Sequence, residues 1–530
     1  MKRSLPLIGV FSVGVAMLLG VAAAMQEQPS APAQTAPEEA ADPQTRGPLH
    51  EAFVTLNVAT PQPPPIVPKK PPDPVEEMPP DQKPEGNNVQ WIPGYWTYDD
   101  ESADFLWVSG FWRDVPPARR WVPGYWAQVD DQDWQRVAGY WEETQQNEVE
   151  YLPDPPHNID AGPSVPAPSA DAVYVPGSWV HHEARYLWRP GFWIPAAPGW
   201  VYVPARYFWT PGGFIFCEGY WDYPLEARGV VFCPVLIHRV AWQRSWVYRP
   251  HFAIATEGLF AAMFARPAFG HFYFGDYFAP AYSTAGFIPW TDYSVVRGGS
   301  NPLFGYYRAH RQREWAAEIR QVYLERRQGR LPPPAASVAQ QTQIIQSITN
   351  VTNVNNTIQI NQHQYKVVNP QMLAQQMTLV APLTQVTKVN TNVKLQPVPK
   401  ETLVAVQKHV AQIHQVAQER QQFDRKVAQT QAKAVKTGQP VAKLVLPKVA
   451  AAPAPPTELK GKVQTPALPA VPKPVAVKHP EPKEIKPPRL EAKPNPIQPR
   501  PKDEKIHPKD EKAPTKPPVV LPKDEKPPIK

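Results

Sequence analysis

Short aromatic runs alternate with turn-forming residues along the middle of this chain. One phrase recurs: an aromatic residue, two further residues, glycine, an aromatic residue, tryptophan. It reads Trp91-Ile92-Pro93-Gly94-Tyr95-Trp96, then WVSGFW from Trp107, WVPGYW from Trp121 and a looser RVAGYW from Arg136. Those starts lie 16, 14 and 15 residues apart. A second set opens at Tyr174 (YVPGSW), Trp188 (WRPGFW) and Phe216 (FCEGYW), with a degenerate copy at Trp209 (WTPGGF). Such a period is one strand plus one turn, used repeatedly. Turns are marked at Asp99–Ser102, Asp114–Pro117 and Asp130–Asp133. The pattern predicts a mainly β fold with C-terminal α-structure. Its centre is an antiparallel meander of short Trp/Gly-rich repeats, flanked by disordered Pro-rich segments.

Period two explains why the phrase favours a sheet. Trp91, Pro93 and Tyr95 fall on one face and Ile92, Gly94 and Trp96 on the other, so both faces carry rings. Glycine has no side chain, and a ring of the neighbouring strand can lie across its backbone. Proline is the difficulty, because it cannot donate to a ladder and belongs at an edge or a bulge. Either each proline turns its missing donor outward, or the strands are partly polyproline-like.

Around this centre the pattern changes. Residues 25–88 are Pro-rich and predict a disordered linker. The first repeat block spans 89–142, a second linker 143–172, and a second repeat block with further aromatic β-sequence 173–300. A short helix can open at Thr256. Asn301-Pro302 reads as an N-cap and first helical position for a helix within 301–330. That helix buries Trp315, Ile319, Val322 and Tyr323, solvates Arg311, Arg313, Arg320, Arg326 and Arg327, and ends at Gly329. The Asn/Gln/Thr-rich segment 336–400 favours β-structure, with a short helix capped by Asn369-Pro370. Leu403, Val406, Val410, Ile413 and Ala417 mark an amphipathic helix over 400–437 that packs onto the preceding segment. A Pro-Lys tail, 438–530, repeats PKDEK at 501, 508 and 522 and predicts an extended arm.

Composition moves the charge off the folded part. The formal charge is +7, yet residues 441–530 carry 17 Lys and 2 Arg against 10 Asp and Glu, which is +9 and leaves −2 for the rest. The basic balance therefore says nothing about a basic face on the head, and the internally neutral PKDEK units argue against nucleic acid. Lys2 and Arg3, the apolar run Leu5–Leu19 and Ala22-Ala23-Ala24 predict an export signal over 1–24. Cleavage after Ala24 places the protein in the periplasm, envelope or medium; an uncleaved signal is the alternative, and its only membrane contact. No cysteine adjoins that site, which excludes lipoprotein processing. Cys217 and Cys233 flank a turn at Pro224–Gly229 and are candidates for a cross-strand disulfide.

The repeated phrase resembles the WXXGXW (YXWGXW) repeat family of exported bacterial proteins, on seven copies between 91 and 221. The resemblance implies export and a β-rich repeat, and it carries no activity and no catalytic residue. Arg136, Ser178 and the Trp209 copy depart from the pattern.

Chemistry is sparse. HExxH, GxSxG, GxxxxGK and CxxC motifs are absent from the sequence. His181-His182-Glu183 reads as a turn, since neighbours on a strand point apart and make a poor metal site. His271 and Asp276 read as structural. The chain is thus expected to be non-enzymatic, without metal or cofactor, its partners being other envelope proteins or cell-wall polymer. Its first function is structural: a rigid aromatic head with an extended arm. The alternative is a polysaccharide or peptidoglycan binding module that stacks sugars on Tyr95, Trp96, Phe111, Trp112, Tyr125, Trp126, Tyr140 and Trp141.

Overall fold

A computed structural model describes residues 40–434 and 443–445, apart from 87, 147, 183–184, 239–245, 295–300, 352–355 and 361. The expected export signal and the PKDEK units lie outside the described residues.

The repeat folds as antiparallel strands, each broken at the same place. Val89–Ile92 and Tyr95–Asp99 flank Pro93-Gly94; Asp104–Val108 and Phe111–Asp114 flank Ser109-Gly110. Tyr95–Asp99 pairs with Asp104–Val108, and Val89–Ile92 pairs with Phe111–Asp114. Two copies of the phrase thereby form one hairpin with a gap halfway along it. The plan recurs from Arg119 to Glu143, Ala172 to Pro195 and Val201 to Asp222. The proline puzzle resolves here. Position three lies in the gap, outside the ladder, where no strand partner asks for an N–H.

The fourth hairpin corrects one expectation. Trp209 belongs to the strand Arg206–Thr210, next to the reversal, and is not the start of a copy. The partner of the Phe216 copy is Tyr202-Val203-Pro204-Ala205-Arg206-Tyr207, disguised by alanine in the glycine position. The second block then starts at 174, 188, 202 and 216, a constant 14 residues.

Pairing explains the aromatic positions. The first residue of each phrase always sits opposite the sixth of its partner: Trp91 and Trp112, Trp107 and Trp96, Trp121 and Trp141, Tyr174 and Trp193, Trp188 and Trp179, Tyr202 and Trp221. These six pairs meet edge to face with ring centres 5.1–5.4 Å apart, the geometry the ring quadrupole favours. Where Arg136 replaces a ring opposite Trp126, its guanidinium lies 4.4 Å over Tyr95 instead. The glycine lies beneath the partner's first ring. A Cβ at Gly139 would stand 2.4 Å from Trp121 Cζ2, and one at Gly94 would stand 2.5 Å from the Val108 carbonyl oxygen.

The segment expected as a disordered linker over 25–88 is ordered from Ala40 onward. Leu49, Ala52, Phe53, Val54 and Leu56 are buried in the main core. A proline-rich segment lacks donors for a ladder, but it can lie across a sheet if other groups bind its carbonyls. Trp96 Nε1 donates to Asp73 O (2.9 Å), Trp141 Nε1 and Arg113 Nε to Ala52 O (3.1 and 3.0 Å), and Arg228 Nη1 to Phe53 O (2.7 Å). The 143–172 linker behaves likewise: Trp179 Nε1 donates to His157 O and Trp193 Nε1 to Val165 O. Both segments are straps tied to the hairpins by indole and guanidinium groups.

Behind the hairpins, Gly47–Pro48, His271–Phe274, Met263–Arg266 and Ile288–Pro289 form a small sheet. Helices Thr256–Ala261, Pro302–His310 and Trp315–Arg327 pack Phe260, Tyr307 and Trp315 into the same core around Trp290, which follows the strand Ile288–Pro289. Asn301 caps as expected, accepting from Leu303 N at 3.0 Å. The arginine face is only partly solvated. Arg326 is buried and donates to Ala261 O (2.6 Å) and Gln376 O (3.1 Å), while Arg311 lies among Phe260, Tyr307 and Trp315.

The 336–400 segment departs from the β expectation at its start, where Val338–Thr349 is a helix capped by Ser337. Its buried Gln341, Ile344 and Ile348 recur at helical spacing. The hairpin Thr357–Ile360 with His363–Lys366 and the helix Pro370–Met377 follow. The last helix, Lys400–Ala434, runs 35 residues. It packs on the hairpin strands rather than mainly on the preceding segment, burying Val406, His409, Ile413, Val416, Arg420, Asp424 and Val427. Within the 438–530 tail, Lys443–Val445 pairs with Glu148–Glu150, a strand where an extended arm was expected. No helix among the described residues is long and apolar enough to cross a membrane.

Candidate functional site

Each gap in a hairpin leaves backbone N–H and C=O groups without ladder partners, and buried groups of that kind need substitutes. Carboxylates delivered by the straps supply the acceptors. Glu77 accepts from Gly94 N (2.8 Å), Gly110 N (2.9 Å) and Trp107 Nε1 (3.1 Å), closing the first gap. Glu51 accepts from Gly139 N (3.0 Å) and Arg136 Nη2 (2.8 Å) in the second. Asp160 accepts from Gly177 N (2.5 Å) and Tyr174 Oη (3.0 Å) in the third. The second gap is closed from its other side by the C-terminal helix: Arg420 Nη1 donates to Pro123 O (2.9 Å) and Ala138 O (3.0 Å), and Asp424 accepts from Tyr125 and Tyr151. The neighbouring His50 reaches Pro93 O at 3.1 Å.

Burial sets the ionisation of these groups. It pushes the Glu77 carboxyl up to about 7, against three N–H donors that favour the charged form. Burial also opposes charge on Glu51, but the Arg136 guanidinium and His271 outweigh it and bring the carboxyl down to about 2. His50 is held neutral by burial, at about 4.

The expected sugar platform is not an open face. Phe111, Trp112, Tyr140 and Trp141 are almost fully buried, Trp96 and Tyr125 are buried, and Tyr95 and Trp126 are half-buried. The six buried rings pack against one another and against the straps. The expected disulfide is not formed either. Cys217 faces Arg206 across the fourth hairpin and packs in a small cluster with Tyr140 and Val427, whereas Cys233 packs in the main core. The turn at Pro224–Gly229 does not pair the flanking strands: Gly229–Val230 runs against Trp112 and Arg113 of the first hairpin instead. Burial pushes both thiols up to about 12, so neither is a ready nucleophile. The turn expected at His181-His182-Glu183 is corrected: His181 and His182 lie in the strand Ser178–His182, opposite Tyr186 and Arg185, with His181 packed on Tyr186, while Glu183 lies outside the described residues. No group of three or more His, Cys, Asp or Glu among the described residues is placed to hold a metal.

Two concave regions stand out. An open groove of about 740 Å³ carries Glu226, Glu257 and Arg311, and these three satisfy one another: Arg311 meets Glu257 at 3.1 Å and Glu226 at 3.7 Å, and Tyr307 donates to Glu226 at 2.5 Å, while Lys388 on its rim is exposed. A smaller cleft of about 120 Å³ lies between the Pro61–Pro65 strap, the second and fourth hairpins and the 267–273 turn. Glu51, Arg136, Arg206 and His271 line it, and each has one buried polar atom with no hydrogen-bond partner among the described residues: Glu51 Oε2, Arg136 Nε, Arg206 Nη1 and His271 Nε2. Sequence reasoning missed Glu51, Glu77, Asp160, Arg420 and Asp424. The available signal was a single acid or base set among apolar or aromatic neighbours in an otherwise polar or Pro-rich run, as in His50-Glu51-Ala52-Phe53.

No family model matches this chain, and comparison with curated proteins and with solved structures gives no match.

Proposed function

We propose that this chain is an exported, non-enzymatic structural protein of the cell envelope. Its aromatic hairpins form a rigid head, and its Pro-Lys arm contacts other envelope proteins or cell-wall polymer. One observation carries this reading. The conspicuous residues of the repeat are spent on internal packing: first ring against sixth ring, glycine under ring, carboxylate in gap. A motif that consumes its own aromatic faces builds a framework rather than a platform. The likeness of the phrase to the WXXGXW family agrees with export, as does the Lys2-to-Ala24 pattern. The polysaccharide platform loses its support because its rings face inward.

Cell fractionation tests the proposal. Recovery in the periplasm or envelope, starting after Ala24, is the expected result. Deleting 446–530 should release the protein from the envelope fraction while leaving the melting temperature of the head unchanged. Recovery of the full-length chain in the cytosol overturns the proposal.

A further inference from the structure

We propose that the cleft lined by Glu51, Arg136, Arg206 and His271 binds a carboxylate-bearing sugar. This inference stands apart from the scaffold role, because it concerns residues that the packing leaves unsatisfied. Arg206 carries the argument. It is 6 % exposed, and no ion pair of its guanidinium exists among the described residues. Its guanidinium carbon lies 5.1 Å over the Phe208 ring, and its Nη1 has no hydrogen-bond partner among the described residues. A buried cation with neither a counter-charge nor a hydrogen-bond partner is costly, and a bound anion would supply both. A carboxylate is the matching group, since a guanidinium binds its two oxygens in one plane.

The other side of the cleft asks for hydroxyls. Glu51 Oε2 and His271 Nε2 stand 3.7 Å apart, too far for a direct hydrogen bond. His271 Nδ1 donates to Phe269 O, so a ligand hydroxyl can donate to Glu51 Oε2 or to a neutral Nε2, and it bridges the two when the imidazole carries its second proton and Nε2 donates. The fixed negative charge of Glu51 disfavours a doubly charged phosphate at the same place. The walls supply the third requirement. Trp126, Tyr207 and Trp209 line the cleft and are only half-buried, so each contributes some aromatic surface to its wall. A cleft of about 120 Å³ is well beyond the space one water needs. Few polar groups converging in an apolar pocket is the ordinary form of a small-molecule site. An acidic sugar satisfies the lone cation, the carboxylate–imidazole pair and the rings together.

The test uses the full chain and follows tryptophan fluorescence and thermal shift during titration with D-glucuronate, D-glucose and acetate, and with a glucuronate-containing oligosaccharide. Saturable binding of glucuronate, at least ~10-fold tighter than glucose or acetate, is expected, which corresponds to one decade of affinity. Arg206→Gln should lose that preference, and Arg206→Lys should retain part of it. Equal responses to glucuronate and glucose, or no saturable response in the wild-type chain, overturn the proposal whatever the variants do. Binding of the oligosaccharide with none of the monomer overturns the single-sugar site in favour of an extended surface. Tighter binding of the oligosaccharide alongside the monomer identifies a polymer as the natural source, and monomer binding alone identifies a free sugar. An Arg206→Gln chain that folds and still discriminates overturns the role of Arg206.

Discussion

The two repeat blocks share one hairpin plan and differ in what covers them. In the first, the Ala40–Pro84 strap lies over both hairpins, Glu77 and Glu51 fill the gaps, and Arg420 closes the second gap from the other side. Its rings are mostly buried. In the second, Asp160 fills one gap from a strap whose Ile159 and Val165 stay exposed, and Trp179, Trp188 and Trp193 remain half-buried. The spacing follows the opposite trend: 16, 14 and 15 residues in the covered block and 14 throughout in the open one. A regular repeat thus suffices to make the hairpins, and covering segments decide whether they become core. Burial comes from partners far away in sequence, which is why the more regular block is the less buried one.

The largest effect expected is at Arg420. Arg420→Met leaves Pro123 O and Ala138 O unpaired and strands the Asp424 charge beside them, at a cost of about 3–5 kcal/mol. Asp160→Asn in the open block, where the acceptor is near solvent, should cost about 1 kcal/mol. Urea denaturation of both variants checks the contrast, and equal losses would break it.

Next come the glycines. Gly139→Ala places a methyl 2.4 Å from Trp121 Cζ2 and 2.8 Å from Val122 O, and should destabilise by about 3 kcal/mol. The reciprocal change Ala205→Gly, where the chain already accepts a methyl, should shift stability by about 1 kcal/mol or less. Thermal melts of the two variants measure the difference.

Acid should unfold the covered block first. The unfolded chain protonates His50 near 6.5 and the fold only near 4, so this contribution is lost as pH falls from about 6.5 to 4. Glu51 adds a loss as pH falls from its ordinary 4.5 toward 2. Glu77 has the opposite sign: the fold binds its proton first, and stability declines as pH rises from about 4.5 to 7. Glu77→Gln should therefore remove a decline on the neutral side and leave the acid limb in place, as read from melting temperature against pH. A smaller effect is expected from acrylamide. Quenching should reach indoles of the open block, and Trp179→Phe should reduce the quenchable fraction more than Trp112→Phe.

Much of this was legible locally. Asn301-Pro302 and Asn369-Pro370 announced their helices because capping uses neighbours in sequence. The Asp99 and Asp130 turns accept from Ser102 N and from Gln132 N and Asp133 N, as turn acids do. The eighth copy at Tyr202 was hidden because the glycine rule rests on a ring above the backbone. In this copy Ala205 stands in the glycine position, and the first-to-sixth pair, Phe216 with Tyr207, is tilted at 4.8 Å rather than edge to face. Glu51, Glu77 and Asp160 were illegible because a gap acceptor is defined by N–H groups far along the chain: 88 residues away for Gly139, 17 for both Gly94 and Gly177.

The aromatic phrase by itself determined that this chain makes antiparallel pairs with rings at fixed places, because strand alternation and glycine's missing side chain act within a few residues. Only the tertiary structure decided that two phrases make one gapped hairpin, that proline-rich segments are straps, and that most rings of the first block are buried while several of the second are not. Those outcomes depend on orphaned backbone groups finding carboxylates and guanidinium groups across the fold, a demand that exists only once the strands have paired.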